Sequence, residues 1–157
     1  MESMGSEDVV ETMHTLFDTI EARDWEAAGR LLDDRITLDH SSLSGGSERE
    51  VGRAELLEAW RCSLHAGKRT FHTLSRFRVE HQDSAVRVTF SAYVVNVLDE
   101  ELGGGMWEAW GRHIVTLRRR PDGWRAVRLV FEKAHTRGDE RVYRHTAAPA
   151  GEGSHAR

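Results

Sequence analysis

The sequence predicts an α+β domain in which a curved mixed sheet, mostly one long antiparallel meander, forms a cone closed by three N-terminal helices. Three observations predict it. Apolar residues recur at helical spacing through most of the first 65 positions, and after Gly67 the pattern changes to period two and keeps it to Lys133. The alternating segments run to roughly 10–14 residues against the usual five or six, so the sheet must twist and curl to stay compact. A curled sheet has a concave face, and helices that precede a meander are placed to cover it.

The elements follow in order. Val9, Val10, Met13, Leu16, Phe17 and Ile20 mark an amphipathic helix over 6–22, with acidic residues in its first turn, where the helix dipole favours them. Asp24 is placed to cap a second, shorter helix bearing Trp25, Ala28, Leu31 and Leu32. Ile36, Leu38 and His40 alternate with Thr37 and Asp39 as in a half-buried strand, which points His40 the way the core points. A polar, glycine-bearing loop is expected over 41–52, then a third helix over 53–65 with Leu56, Leu57, Trp60 and Leu64 inward. Four strands are expected over 70–81, 85–98, 106–120 and 124–133, joined by turns at 82–84 and 121–123 and by a glycine-rich link over 99–105. The predicted domain spans 6–138, with a flexible start at 1–5 and a disordered Ala/Gly/Pro/Ser-rich tail at 146–157.

Composition narrows the function classes. The 157 residues suit one domain, large enough to enclose a small cavity. With 22 basic and 26 acidic residues well mixed, no basic stripe is available for a phosphate backbone, so nucleic acid is not an expected partner. No run of about 18 apolar residues and no signal-peptide pattern occurs, which predicts a cytoplasmic protein without a membrane partner. Cys62 is the single cysteine, so no internal disulfide forms, and it reads as packing beside Trp60. Nine histidines include no His-x-x-x-His or His-x-His pair, and no metal or other cofactor is expected. Gly103, Gly104 and Gly105 do not form a phosphate cradle, because no helix pattern with Lys-Ser/Thr follows them.

The residues suited to chemistry are few. His72 can take and return a proton near neutral pH, although alternation alone leaves either face of its strand as the inner one. His40 and Asp39 are adjacent and must point to opposite faces, so only one enters a pocket; His40 is expected there, with Asp39 anchoring the Ser41-Ser42 loop. Arg112 inside a curled sheet would have to be paired, by Glu132 or Glu21, and either Arg112 or Tyr93 is a candidate for stabilising oxyanion charge. His113 lies on the face opposite Arg112 and is expected outside the pocket, in a structural or interfacial role. Trp60, Tyr93, Trp107 and Trp110 are expected as walls for a flat or cyclic ligand.

Arg23-Asp24-Trp25, the stretch Leu38 to Leu43, Gly45-Gly46, Trp60-Arg61, His72, Gly111-Arg112 and Asp122 to Arg125 occur in an order and spacing that resembles the SnoaL-like branch of the nuclear transport factor 2-like superfamily. The resemblance implies a cone-shaped α+β barrel with a deep pocket. The superfamily includes polyketide cyclases, ketosteroid isomerase, scytalone dehydratase, epoxide hydrolases and proteins that only bind. The motif order looks most like the scytalone dehydratase type. There His72 matches a pocket histidine, His40 takes the place of a tyrosine, Glu21 that of an acidic residue, and Arg112 and Ile114 those of two small polar residues. A second catalytic histidine of that type has no counterpart in Tyr93-Val94-Val95-Asn96, and Ile114 departs from the Asp-Arg-Asp set of limonene epoxide hydrolase.

The reading that follows is a cofactor-independent dehydratase, cyclase or isomerase acting on an oxygenated cyclic or polyketide-like small molecule. His72, His40 and Arg112 are the expected catalytic residues; Glu21, Trp60, Tyr93, Asn96, Trp107, Trp110 and Glu132 are expected to bind substrate. The alternative is a binding or assembly module with the same fold and no catalysis. A homodimer or homotrimer is expected, pairing through the outer sheet face and covering residues such as Val115 and Leu117.

Overall fold

A computed structural model describes residues 5–147. Helix α1 (Ser6–Glu21) buries Val9, Met13, Leu16, Phe17 and Ile20, the one stripe that its 3.6-residue period brings to a single side. Arg23 follows in the left-handed region (φ 60°), and Asp24 accepts a hydrogen bond from the Ala27 amide at 3.1 Å to start α2 (Trp25–Gly29). The Arg23 guanidinium donates to the Lys68 carbonyl at 2.6 Å, which ties this helical turn to the start of the meander.

Strand β1 (Leu32–Asp39) begins four residues earlier than the alternation from Ile36 indicates, because a register irregularity between Leu32 and Thr37 interrupts the period. The segment expected to be loop contains a turn of helix, α3 (Ser41–Ser44), and a short strand, β2 (Arg49–Gly52), antiparallel to β1 with Ile36 opposite Val51. Only Val51 of β2 is buried, so the strand carries almost no hydrophobic signal. Helix α4 (Arg53–Ser63) is followed by β3 (Lys68–Gln82), β4 (Ala85–Leu98), a 3₁₀ turn at Glu100–Leu102, β5 (Met106–Arg120) and β6 (Gly123–Gly138).

The strand order is β2-β1-β6-β5-β4-β3, with β1 and β6 parallel and every other pair antiparallel. The sheet is therefore mixed and unclosed, with β2 and β3 as its edges, so the cone is not a complete barrel. Its concave face packs on α1, α2 and α4 through Met13, Leu16, Leu32, Ile36, Leu56, Val88, Phe90, Val115 and Leu117. Val115 and Leu117 are 1% and 0% exposed. They belong to this core and are not available to an outer-face interface; Ile114 and Thr116 take the other face.

Strand β6 runs five residues past the expected end, because 133–138 pair with Trp107 to Gly111 of β5. A further helix, α5 (Glu140–Arg144), then packs against β4 and β5. Val142 is fully buried there, and Tyr143 stacks on Trp107 with ring centroids 4.4 Å apart. Lys68, 1% exposed, holds this segment by donating to the carbonyls of Tyr143 (3.1 Å) and His145 (2.7 Å). Burial, with Arg23 close by, lowers the Lys68 ammonium pKa to about 8. Of the expected tail only residues 146 and 147 are described, and the Ala147 amide donates to the Cys62 carbonyl at 2.8 Å. Residues 148–157 and 1–4 lie outside the described residues.

Candidate active site

The helices leave a two-lobed cavity over the concave face. One lobe, about 130 Å³, is lined by α1 (Leu16, Phe17, Ile20), α4 (Trp60) and the sheet; the other, about 190 Å³, extends toward Asn96, Trp107 and Tyr143. His40, Trp60, Leu64, His72 and His113 line both. Three imidazoles thus converge on a space otherwise walled mainly by aromatic and aliphatic side chains.

His72 sits on β3 opposite Val94, with its side chain 13% exposed. One carboxylate oxygen of Glu21, from the last turn of α1, accepts both the His72 backbone amide and its Nδ1, the latter at 3.1 Å. A carboxylate at Nδ1 assigns the proton to that nitrogen and leaves Nε2 as the free base. Burial lowers the His72 pKa, and the charge and hydrogen bond of Glu21 oppose that shift.

His40 follows β1 as the N-cap of α3, where its carbonyl accepts the amides of Leu43 and Ser44. Asp39 turns the other way and accepts the Ser41 amide (3.1 Å) and hydroxyl (2.6 Å). The Ser42 hydroxyl bridges the Phe131 carbonyl and the Lys133 amide, docking this loop on β6. Burial holds the His40 pKa below its ordinary value, against Asp39 and with Arg49.

His113 is the deepest of the three. Its ring lies between Phe17, Phe90 and Phe131, with centroids 5.0, 5.2 and 4.8 Å away, and Phe17 also touches His72 at 4.9 Å. Burial, followed by His40 and His72, drives its pKa well below the usual value. Gly111, two residues earlier on the same face, makes room for Phe131: a Cβ there would collide with that ring and with the Glu132 carbonyl.

The expected set of residues divides by face. His40, Trp60, His72, Asn96 and Trp107 line the cavity, and Glu21 lines neither lobe but holds His72 in place. Asn96, 5% exposed, accepts the Thr70 hydroxyl at 2.8 Å. Arg112, Glu132, Tyr93 and Trp110 do not reach the cavity; all four lie on the convex face, around an open depression of about 540 Å³. Arg112 pairs there with Glu132 at 2.6 Å while its side chain stays 57% exposed. Tyr93 donates to Glu108 at 2.6 Å and packs on Trp110. The Tyr93 pKa is raised, chiefly by that hydrogen bond. Side chains alternate across a strand, so Arg112 outside requires His113 inside, the reverse of the expectation. The residue of β5 that lines the cavity at this level is accordingly His113, one residue out of step with Arg112 and Ile114.

Sequence reasoning missed Tyr143, which lies beyond the expected domain end, and set His113 on the wrong side. Phe17 was legible as a helix core residue, with no signal that it touches two imidazoles. Among the described residues no cluster of three or more His, Cys, Asp or Glu is arranged to hold a metal ion, and no helix is long and apolar enough to cross a membrane.

The sequence matches no curated protein. Several solved structures share the fold at low identity. The Kfla4162 protein of Kribbella flavida is 19% identical with a TM-score of 0.80, covering 87% of this chain and 94% of that one. A nuclear transport factor 2-like superfamily protein of Salmonella enterica is 14% identical with a TM-score of 0.69, over 82% and 90%. A candidate scytalone dehydratase of Novosphingobium aromaticivorans is 16% identical with a TM-score of 0.65, over 91% of each chain. The model of the SnoaL-like domain matches residues 5–130, four-fifths of the sequence and nearly all of the cone, and the chain belongs to that family.

Proposed function

We propose that this chain is a cofactor-independent proton-transfer enzyme, a dehydratase, cyclase or isomerase, acting on an oxygenated cyclic small molecule held in the two-lobed cavity. The observation that carries the reading is the Glu21–His72 pair at the cavity wall. A buried imidazole whose Nδ1–H is held by a carboxylate has a fixed tautomer, and the imidazolium formed during reaction is stabilised in place.

In a dehydration, His72 Nε2 takes a proton from carbon next to a carbonyl, and the electron pair moves to the carbonyl oxygen. When that pair returns, the β-hydroxyl departs and takes the proton from His72, leaving as water. Cyclisation and isomerisation use the same first step with a different fate for the carbanion. Trp60, Trp107 and Tyr143 offer flat apolar walls to such a ring, and neither lobe is lined by Lys or Arg, which favours an uncharged substrate.

The test is NMR of hydroxylated cyclic ketones incubated with the protein in D₂O. Exchange or elimination at the carbon beside the carbonyl is expected, slowed about 10²- to 10⁴-fold by His72→Gln. Equal rates for wild type and variant on a ketone shown to occupy the cavity would contradict the proposal.

A further inference from the structure

His113 has no part in the chemistry proposed above, yet its placement is hard to explain as packing. Its ring is enclosed by Phe17, Phe90 and Phe131, surroundings that a fourth phenylalanine would suit without a polar atom to desolvate. Two other histidines of the interior are engaged, His72 by Glu21 and His65 by His145 at 2.8 Å and the Gly67 amide; the His40 ring, at the end of the first strand, shares the cavity but is not packed among phenylalanines. No group among the described residues hydrogen-bonds the His113 ring. Yet no fully enclosed side-chain nitrogen or oxygen among them lacks a partner, so the His113 nitrogens must have accessible surface. The ring borders both lobes, and the accessible side of a residue this deep is the cavity.

We infer that His113 contacts the substrate, its imidazole hydrogen-bonding a hydroxyl or carbonyl oxygen of the ligand on which His72 acts; this rests on the cavity being the ligand site proposed above. The Phe17 ring touches both imidazoles, so a compact ring against Phe17 lies within reach of each. His113 is kept neutral by burial and by the two neighbouring histidines. A neutral imidazole offers one donor and one acceptor, and as a donor it can polarise a carbonyl without transferring its proton.

The test uses phenol and benzene, which differ by one hydroxyl and are of a size that the larger lobe, about 190 Å³ and bordered by His113, admits, a dry cavity of about 150 Å³ being enough for benzene. Affinities of both probes are measured for wild type and His113→Phe, together with ¹⁵N spectra of the histidine rings in the wild type. The inference predicts that phenol, and not benzene, shifts the His113 ring nitrogens, and that the ratio of phenol to benzene affinity falls about tenfold in His113→Phe. If the variant does not fold, the wild-type spectra decide. Phenol binding that leaves the His113 nitrogens unshifted, or an unchanged ratio in the folded variant, overturns the role of His113 and leaves the Glu21–His72 reading standing. Failure of both probes to bind wild type overturns the ligand cavity, and this inference with it.

Discussion

His113 holds a polar ring among phenylalanines with no described hydrogen-bond partner, an arrangement that lowers stability unless a ligand completes it. His113→Phe is therefore predicted to stabilise the unliganded protein by about 1–2 kcal/mol, raising Tm by roughly 2–8 °C in thermal unfolding. A fall of that size would show that the imidazole is a structural group. The misplacement of this residue has a definite physical origin. On β5 both phases of the alternation carry apolar side chains, Trp107, Ala109 and Val115 on one and Met106, Trp110 and Ile114 on the other, so period two reveals a strand but not its inner face. Arg112 and His113 exchange sides on that one uncertainty. At the end of β1 the phase was legible, because Ile36 and Leu38 alternate with polar residues, and His40 faces the cavity.

Among the elements, β5 and β6 depend on a close approach at Gly111, where the register shifts and Phe131 leans over the backbone. Gly111→Ala is predicted to destabilise by about 1–3 kcal/mol, because the displaced groups are a carbonyl and a packed ring with little room to move. Chemical denaturation checks this, and an unchanged midpoint would mean that β6 shifts freely. The long elements were readable in the sequence because their periods persist over many residues: α1 through Val9 to Ile20, and the meander from β3 to β6. Short ones were not. Strand β2 buries only Val51, and α5 is five residues long after a glycine, too brief to establish a helical period. That omission mattered for the site, since α5 supplies Tyr143 and is held down by the buried Lys68.

At the scale of the molecule, three imidazoles buried in neutral form make stability depend on pH. His40, His72 and His113 all have folded pKa values below the unfolded value of about 6.5. The unfolded chain therefore binds more protons as pH falls, and the stability present above about pH 6.5 is lost progressively toward the lowered folded values. Urea unfolding at pH 7.5 and pH 5 is predicted to show the loss, and His113→Phe to reduce it; equal stability at both pH values would contradict the neutral burial. The convex face bears Phe71 (58% exposed), Met106 (49%), Tyr93 and Trp110, an apolar surface suited to a second copy. Light scattering is expected to give two or three times the 17.8 kDa chain mass, whereas a monomer would count against pairing. The proton-transfer role of the Glu21–His72 pair is tested most directly by the pH dependence of ketone exchange in D₂O for wild type and Glu21→Gln. The wild-type rate should fall on the acid side with an apparent pKa below 6.5. In Glu21→Gln that pKa should move lower still and the rate should drop, because the carboxylate that supports the imidazolium is gone. Superimposable profiles would contradict the account.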